Sequence, residues 1–151
     1  MHAAIESPDQ PEVIRLIADL DRYQDALYPA ESRYALDLAS LKQLNVRFVV
    51  ARDGRGAAIG CGAIVLGDDY GELKRMYVAE ASRGRGVAEV ILMLLESEAR
   101  KAGCTLLRLE TGPYQPEALK FYASNGYQRT GPYGDYPDDP LSVFMQKDVS
   151  R

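Results

Sequence analysis

A mixed α/β sheet, mostly antiparallel and flanked by about four helices, is the fold class this sequence predicts. Three observations carry it. Apolar residues recur at helical spacing through the first forty-odd positions, and then at strand spacing from Val46. A glycine-rich turn, Arg83-Gly84-Arg85-Gly86, lies between a strand pattern and an amphipathic helix pattern. The order of elements (strand, two helices, three strands, helix, strand, helix, two strands) is not a regular βαβ series.

Each element has its own grounds. A short apolar stretch near Ala3 to Ile5 reads as a first strand. Ser7, Asp9 and Pro11 supply helix-start chemistry, and Val13, Leu16, Ile17, Leu20 and Leu27 follow until Pro29 stops the run. A second amphipathic helix is expected around Leu36, Leu41 and Leu44. Val46 to Ala51 and Ala57 to Leu66 read as strands joined by the turn Asp53-Gly54-Arg55-Gly56. Asp68-Asp69 marks a turn before a third strand, Glu72 to Val78. Val87 to Ala102 carries one apolar stripe (Val87, Ile91, Leu94, Leu95, Ala99), and Gly103 suits its left-handed end. Thr105 to Thr111 is a strand. Pro116 opens a shorter helix that Gly126 closes. Last strands near Tyr127 to Thr130 and Leu141 to Gln146 flank a loop rich in Pro, Tyr and Asp.

Composition bounds the function. The 151 residues have the size of one domain, spanning 1–151, with 46% hydrophobic and 26% charged residues as in ordinary globular proteins. No apolar run approaches the roughly 20 residues of a membrane span, and Met1-His2-Ala3-Ala4 does not read as a signal peptide, so a cytoplasmic protein without membrane partners is expected. A net charge of −4 argues against a general nucleic-acid binder. Cys61 and Cys104 are too few and too far apart for a disulfide framework or zinc site, and His2 is the sole histidine. No metal is expected, and the chemistry falls to carboxylates, tyrosines, backbone groups or a cofactor.

The informative segment is Glu72 to Ala88. Backbone N–H groups at a helix start have no internal partners and carry the positive end of the dipole, which suits a phosphate. Gly84 and Gly86 permit a tight turn and a close backbone approach, and Arg83 and Arg85 add positive charge. An isolated string of this kind is more often a solvated loop; its position between strand and helix reverses those odds. No G-K-[ST] follows, and Glu89 breaks a G-x-G-x-x-G reading.

Arg83-x-x-Gly86-x-Ala88 resembles the [QR]-x-x-G-x-[GA] pyrophosphate motif of the GNAT superfamily of N-acetyltransferases. Glu-Leu-Lys-Arg-Met-Tyr-Val at 72–78 resembles that family's pantetheine-lining strand, and Ala118 to Tyr127 its late A-x-x-F-Y-x-x-x-G-[FY] helix. The likeness covers the chain from about Ala4 to Lys147. It departs at Ala88, where many members have a third glycine, and at Gln115, near where asparagine is common.

The resemblance implies a GNAT-like fold and direct transfer of the acetyl group of acetyl-CoA to a primary amine, of a small molecule or of a peptide. Arg83, Gly84, Arg85, Gly86, Val87 and Ala88 would hold the CoA pyrophosphate. Met76, Tyr77 and Val78 form the strand end beside pantetheine, with backbone pairing through Met76 and Val78 and an oxyanion-stabilising N–H at Val78. Tyr122 resembles the tyrosine that protonates the departing thiolate. Glu72 is the first candidate for the base, against the equally weighted reading of a solvated strand-start glutamate, and Glu110 is the reserve. The connections that flank an acceptor in this family here offer Tyr28, Glu31, Tyr133, Asp135, Tyr136, Asp138 and Asp139. That aromatic and acidic set suits a cationic amine, although a solvated turn is the commoner explanation for any single member. A longer acyl group, an oxygen acceptor, or a non-catalytic acyl-CoA sensor are the alternatives. A homodimer is compatible with the resemblance.

Overall fold

In a computed structural model that describes residues 1–150, the chain runs β1 (His2–Ile5), α1 (Pro11–Asp25), α2 (Leu38–Leu41), β2 (Val46–Arg52), β3 (Ala58–Leu66), β4 (Gly71–Val78), α3 (Val87–Lys101), β5 (Leu106–Thr111), α4 (Pro116–Ser124), β6 (Gln128–Thr130) and β7 (Val143–Asp148). Single 3-10 turns occur at Ala30–Ser32 and Glu80–Ser82. The strands form one seven-stranded sheet in the order β1-β2-β3-β4-β5-β7-β6. Every neighbouring pair is antiparallel except β4 and β5, so the sheet is mixed.

Both faces of the central strands are buried, which is why their sequences are almost continuously apolar. Strand alternation sends Val49, Ala51 and Ile64 to one face, where Ile91, Leu92 and Leu95 of α3 cover them. It sends Phe48, Val50, Cys61 and Ala63 to the other, against Val13 and Leu16 of α1 and Leu41 of α2. The helices therefore lie on opposite faces, and the functional elements hang from the sheet between them.

Two expectations change. The second helix is a four-residue turn, capped where the Asp37 carboxylate accepts the Ser40 N–H at 2.8 Å, rather than a helix reaching Leu44. Leu36, Leu41 and Leu44 cannot share a long buried stripe: Leu41 is buried while Leu44 is 96% exposed. The last strand begins at Val143 rather than Leu141 and runs to Asp148.

The feature that makes room for a site is the seam between β4 and β5. Their parallel pairing covers Gly71 opposite Leu107 and Glu72 opposite Arg108, and then stops. A register shift in the β3–β4 ladder falls between Cys61 and Ala63, opposite Arg75, whose φ of 58° is left-handed. A bulge of this kind bends a strand. It carries the end of β4 away from β5 and opens a gap within the sheet.

Candidate active site

The gap between β4 and β5 holds two adjoining cavities. The larger, of about 430 Å³, lies between the end of β4, the following turn and the start of α3, with Phe121 and Tyr122 of α4 opposite. The smaller, of about 100 Å³, lies between β4 and β5 under α1 and the 3-10 turn at Ala30–Ser32. Leu20, Met76, Gln115, Ala118 and Tyr122 border both, so the two communicate.

The larger cavity is built mainly from backbone. Gly84 and Gly86 adopt φ of 77° and 79°, a left-handed conformation that costs a residue with a Cβ roughly 1–2 kcal/mol. The first α3 bond runs from the Val90 N–H to the Gly86 carbonyl. The N–H groups of Val87, Ala88 and Glu89 consequently have no helical acceptor. Arg83 ties the turn to the strand, its Nε donating to the Val78 carbonyl at 3.0 Å and its guanidinium lying 5.5 Å from the Tyr77 ring centre.

At the end of β4 the ladder alternates. The Ala79 N–H donates to the Ile59 carbonyl at 2.8 Å, and Tyr77 stands opposite Cys61. Val78 therefore directs its backbone N–H and C=O away from β3, toward the gap, and Met76 does the same by parity. The turn and strand fit a pyrophosphate and an amide-bearing arm. Of the nine residues expected to contact the cofactor, eight line this cavity; Arg85 is exposed and lies outside it.

The chain belongs to the GNAT acetyltransferase family. The model of that family, described as Acetyltransferase (GNAT), matches residues 12–127. The IAA acetyltransferase of Azospirillum brasilense is 47% identical over 146 residues, 95% of this chain and 95% of that protein. A crystal structure from Klebsiella pneumoniae, described as an acyl-CoA N-acyltransferase, is 40% identical and superposes with a TM-score of 0.87 over 98% of this chain and 97% of that one. The PaiA N-acetyltransferase of Thermoplasma acidophilum, solved with coenzyme A, shares the fold with a TM-score of 0.75 at 17% identity, over 98% and 99% of the two chains. This GNAT protein is an acetyl-CoA-dependent acetyltransferase, and acetyl-CoA is its cosubstrate.

The smaller cavity of this acetyltransferase is built from side chains of several separate segments. Tyr122 sits at the junction with the cofactor cavity; burial pushes its phenol above the usual range, so it stays protonated. Its hydroxyl donates to no acceptor among the described residues. Glu110 on β5 faces the same cavity. Its carboxyl is pushed up to about 7 by burial, against one bond from the Ser142 hydroxyl at 2.9 Å. Tyr28 packs on Tyr114 with ring centres 5.4 Å apart and accepts the Tyr114 N–H at 3.1 Å. Gly112 makes that possible, because a Cβ there would lie 1.9 Å from the Tyr28 hydroxyl.

Glu72 is placed differently from Glu110. Its Oε2 accepts the Tyr133 hydroxyl at 2.9 Å and the Tyr136 hydroxyl at 2.5 Å, with the Lys74 ammonium 3.4 Å away. Burial and the neighbouring Glu72 carboxylate hold both phenols protonated, so both remain donors. Glu72 thus holds the 131–140 loop against the sheet and does not line either cavity.

Of the residues expected around the acceptor, Tyr28 lines the cavity. Tyr133 and Tyr136 instead bind Glu72, because the loop folds inward on its aromatic side. Glu31, Asp135 and Asp138 are exposed and outside the cavity. Asp139 accepts the Leu141 N–H at 2.8 Å and the Tyr34 hydroxyl at 2.9 Å. The acids that suggested a cationic acceptor therefore do not line the smaller cavity. Sequence reasoning assigned no part there to Gln24, Arg33, Lys74, Gly112 or Gln115, which do line it. Gln115 had a usable signal, since it directly precedes Pro116 at the start of α4.

Proposed function

We propose that this enzyme transfers acetyl directly to a primary amine, with Glu110 rather than Glu72 as the base and Tyr122 as the acid. The observation that carries the reading is that Glu110 and Tyr122 border one small cavity, and that Tyr122 also borders the cofactor cavity. Acetyl-CoA supplies the activated thioester. An amine nitrogen in the smaller cavity forms a bond to the acetyl carbon and loses a proton to a Glu110 carboxylate oxygen. The carbon–sulfur bond breaks, and the Tyr122 hydroxyl gives its proton to the departing sulfur. The Val78 N–H, aimed into the gap, supports the acetyl oxygen as charge builds on it.

A base works best when its pKa lies near the operating pH, which the burial of Glu110 provides. Glu72 already accepts two phenolic hydrogens beside a lysine, and its bonds would have to break before it could take a proton. The exclusion of the loop acids from the cavity withdraws support from a cationic acceptor.

The test is a pH profile. The active form of Glu110 is the deprotonated one and its pKa is raised, so kcat/KM should climb as pH rises through about 7 and then level. Glu110→Gln should abolish that climb and lower kcat by about 10²–10⁴, whereas Glu72→Gln should keep it. An unchanged profile in Glu110→Gln would move the base elsewhere. The same shift has a stability sign: between 4.5 and about 7 the folded state holds this proton more tightly than the unfolded chain, so stability falls as pH rises across that window.

A further inference from the structure

Resting on the acetyl-transfer reading above, we infer that the acceptor is a small amine that also carries an oxyanion, in the simplest case a carboxylate, seated against Arg33 with its amine toward Glu110. The wall of the smaller cavity includes three cationic residues, Arg33, Lys74 and Arg75, and one carboxyl group, Glu110. The acids that pair with these cations do not line the cavity. Asp21 is shared, accepting Arg33 Nη2 at 3.0 Å and Arg75 Nη1 at 2.5 Å. Asp25 takes the other arm of Arg33 with 67% of its side chain exposed, so water screens its charge. Glu72, which accepts two phenols, pairs with Lys74, whose ammonium also donates to the Tyr34 carbonyl at 2.9 Å and to the Tyr136 hydroxyl; Lys74 is thereby held in place and contributes its charge rather than a spare donor.

Arg33 and Lys74 themselves are largely withdrawn from water, with 14% and 11% of their side chains exposed. Charges so placed act through a lower dielectric than surface charges. Arg75 spends its donors on Asp21 and on the Leu36 carbonyl, at 3.1 and 2.8 Å, and forms the frame. Arg33 is not saturated: it donates through Nη1 and Nη2, and its Nε–H has no acceptor among the described residues. A guanidinium edge with a free donor matches a carboxylate or phosphonate oxygen. A second cation on the acceptor would instead meet the positive charge of two half-buried side chains.

Size narrows the class further. A cavity of about 100 Å³ takes a small molecule of amino-acid scale more readily than a bulky polycation. Glu110 and Arg33 both line this cavity, which offers an amine and an oxyanion a partner each.

The experiment measures thiol release with small amino acids, each beside its amide and its decarboxylated amine, and with aminoalkylphosphonates as a second oxyanion. Wild type should favour the acids over their amides by at least about tenfold in kcat/KM, roughly the effect of one charge-assisted bond. The carboxylate and phosphonate arms identify which oxyanion fits. Arg33→Gln should bring the acid-to-amide ratio close to one, and Arg33→Lys should restore part of it. Equal or faster turnover of the amides by wild type would overturn the inference while leaving amine acetylation standing. Thiol release with no amine of either series would overturn both. The wild-type comparison decides the matter even if Arg33→Gln fails to fold.

Discussion

The two cavities that meet at Tyr122 are made of different material. The cofactor side is one continuous run of chain, from the end of β4 through two left-handed glycines to the start of α3, and it presents mostly backbone. The acceptor side draws side chains from α1, the turn after it, β4, β5 and α4. Backbone groups recognise a shape common to every acetyl-CoA, whereas side chains from separate segments can each change alone. The first surface is therefore fixed by local geometry, and the second by how distant elements pack.

Three substitutions sharpen that contrast. The largest effect is expected where the two sides join. Tyr122→Phe keeps the ring packing against Phe121 and Tyr127, at 5.2 and 5.6 Å, and removes only the hydroxyl. Turnover should drop about a hundredfold with acetyl-CoA affinity retained, near the lower end for acid catalysis because a thiolate leaves readily. Unchanged kcat, measured where chemistry limits turnover, would leave Tyr122 as a packing residue alone.

Next comes the backbone side. Gly86→Val imposes a β-branched residue on a φ of 79° at the head of α3. The distortion should weaken acetyl-CoA binding about tenfold, while the acceptor KM moves little. Calorimetry that finds equal affinity would remove this turn from the cofactor site.

The smallest effect tests the acceptor side from outside. Asp135→Asn and Asp138→Asn alter exposed carboxylates beyond the cavity, and each should change the acceptor KM by less than about twofold. A large rise in KM would return these acids to the acceptor path and reopen the cationic reading.

The same contrast decides what could be read from the sequence. Arg83-x-x-Gly86-x-Ala88 was legible because every part of that surface is adjacent in the chain and its glycines report the dihedral angles they permit. The sheet was legible too, since a period change at Val46 follows directly from strands buried on both faces. The second helix was not, because Leu36, Leu41 and Leu44 suggest a stripe that four residues and a cap do not sustain. The different surroundings of Glu72 and Glu110 were hidden for a different reason. Both lie on strands at the site, and what separates them is the fold of a loop sixty residues beyond Glu72, which brings Tyr133 and Tyr136 onto one and not the other. Arg33 gave no signal at all, standing in a turn where a solvated arginine is the ordinary expectation.

The early end of the β4–β5 ladder has one more consequence. A sheet split along part of its length has interior edges as well as outer ones, and an unpaired edge accepts any amide chain without regard to side chains. On the outside of a protein that indifference invites other polypeptides. Here the exposed edge of Met76 and Val78 lies inside a slot with Leu20, Phe121 and Tyr122 on its walls. Whatever pairs with that edge must first fit between those walls. Confinement thus restricts what reaches amides that are themselves indifferent to side chains.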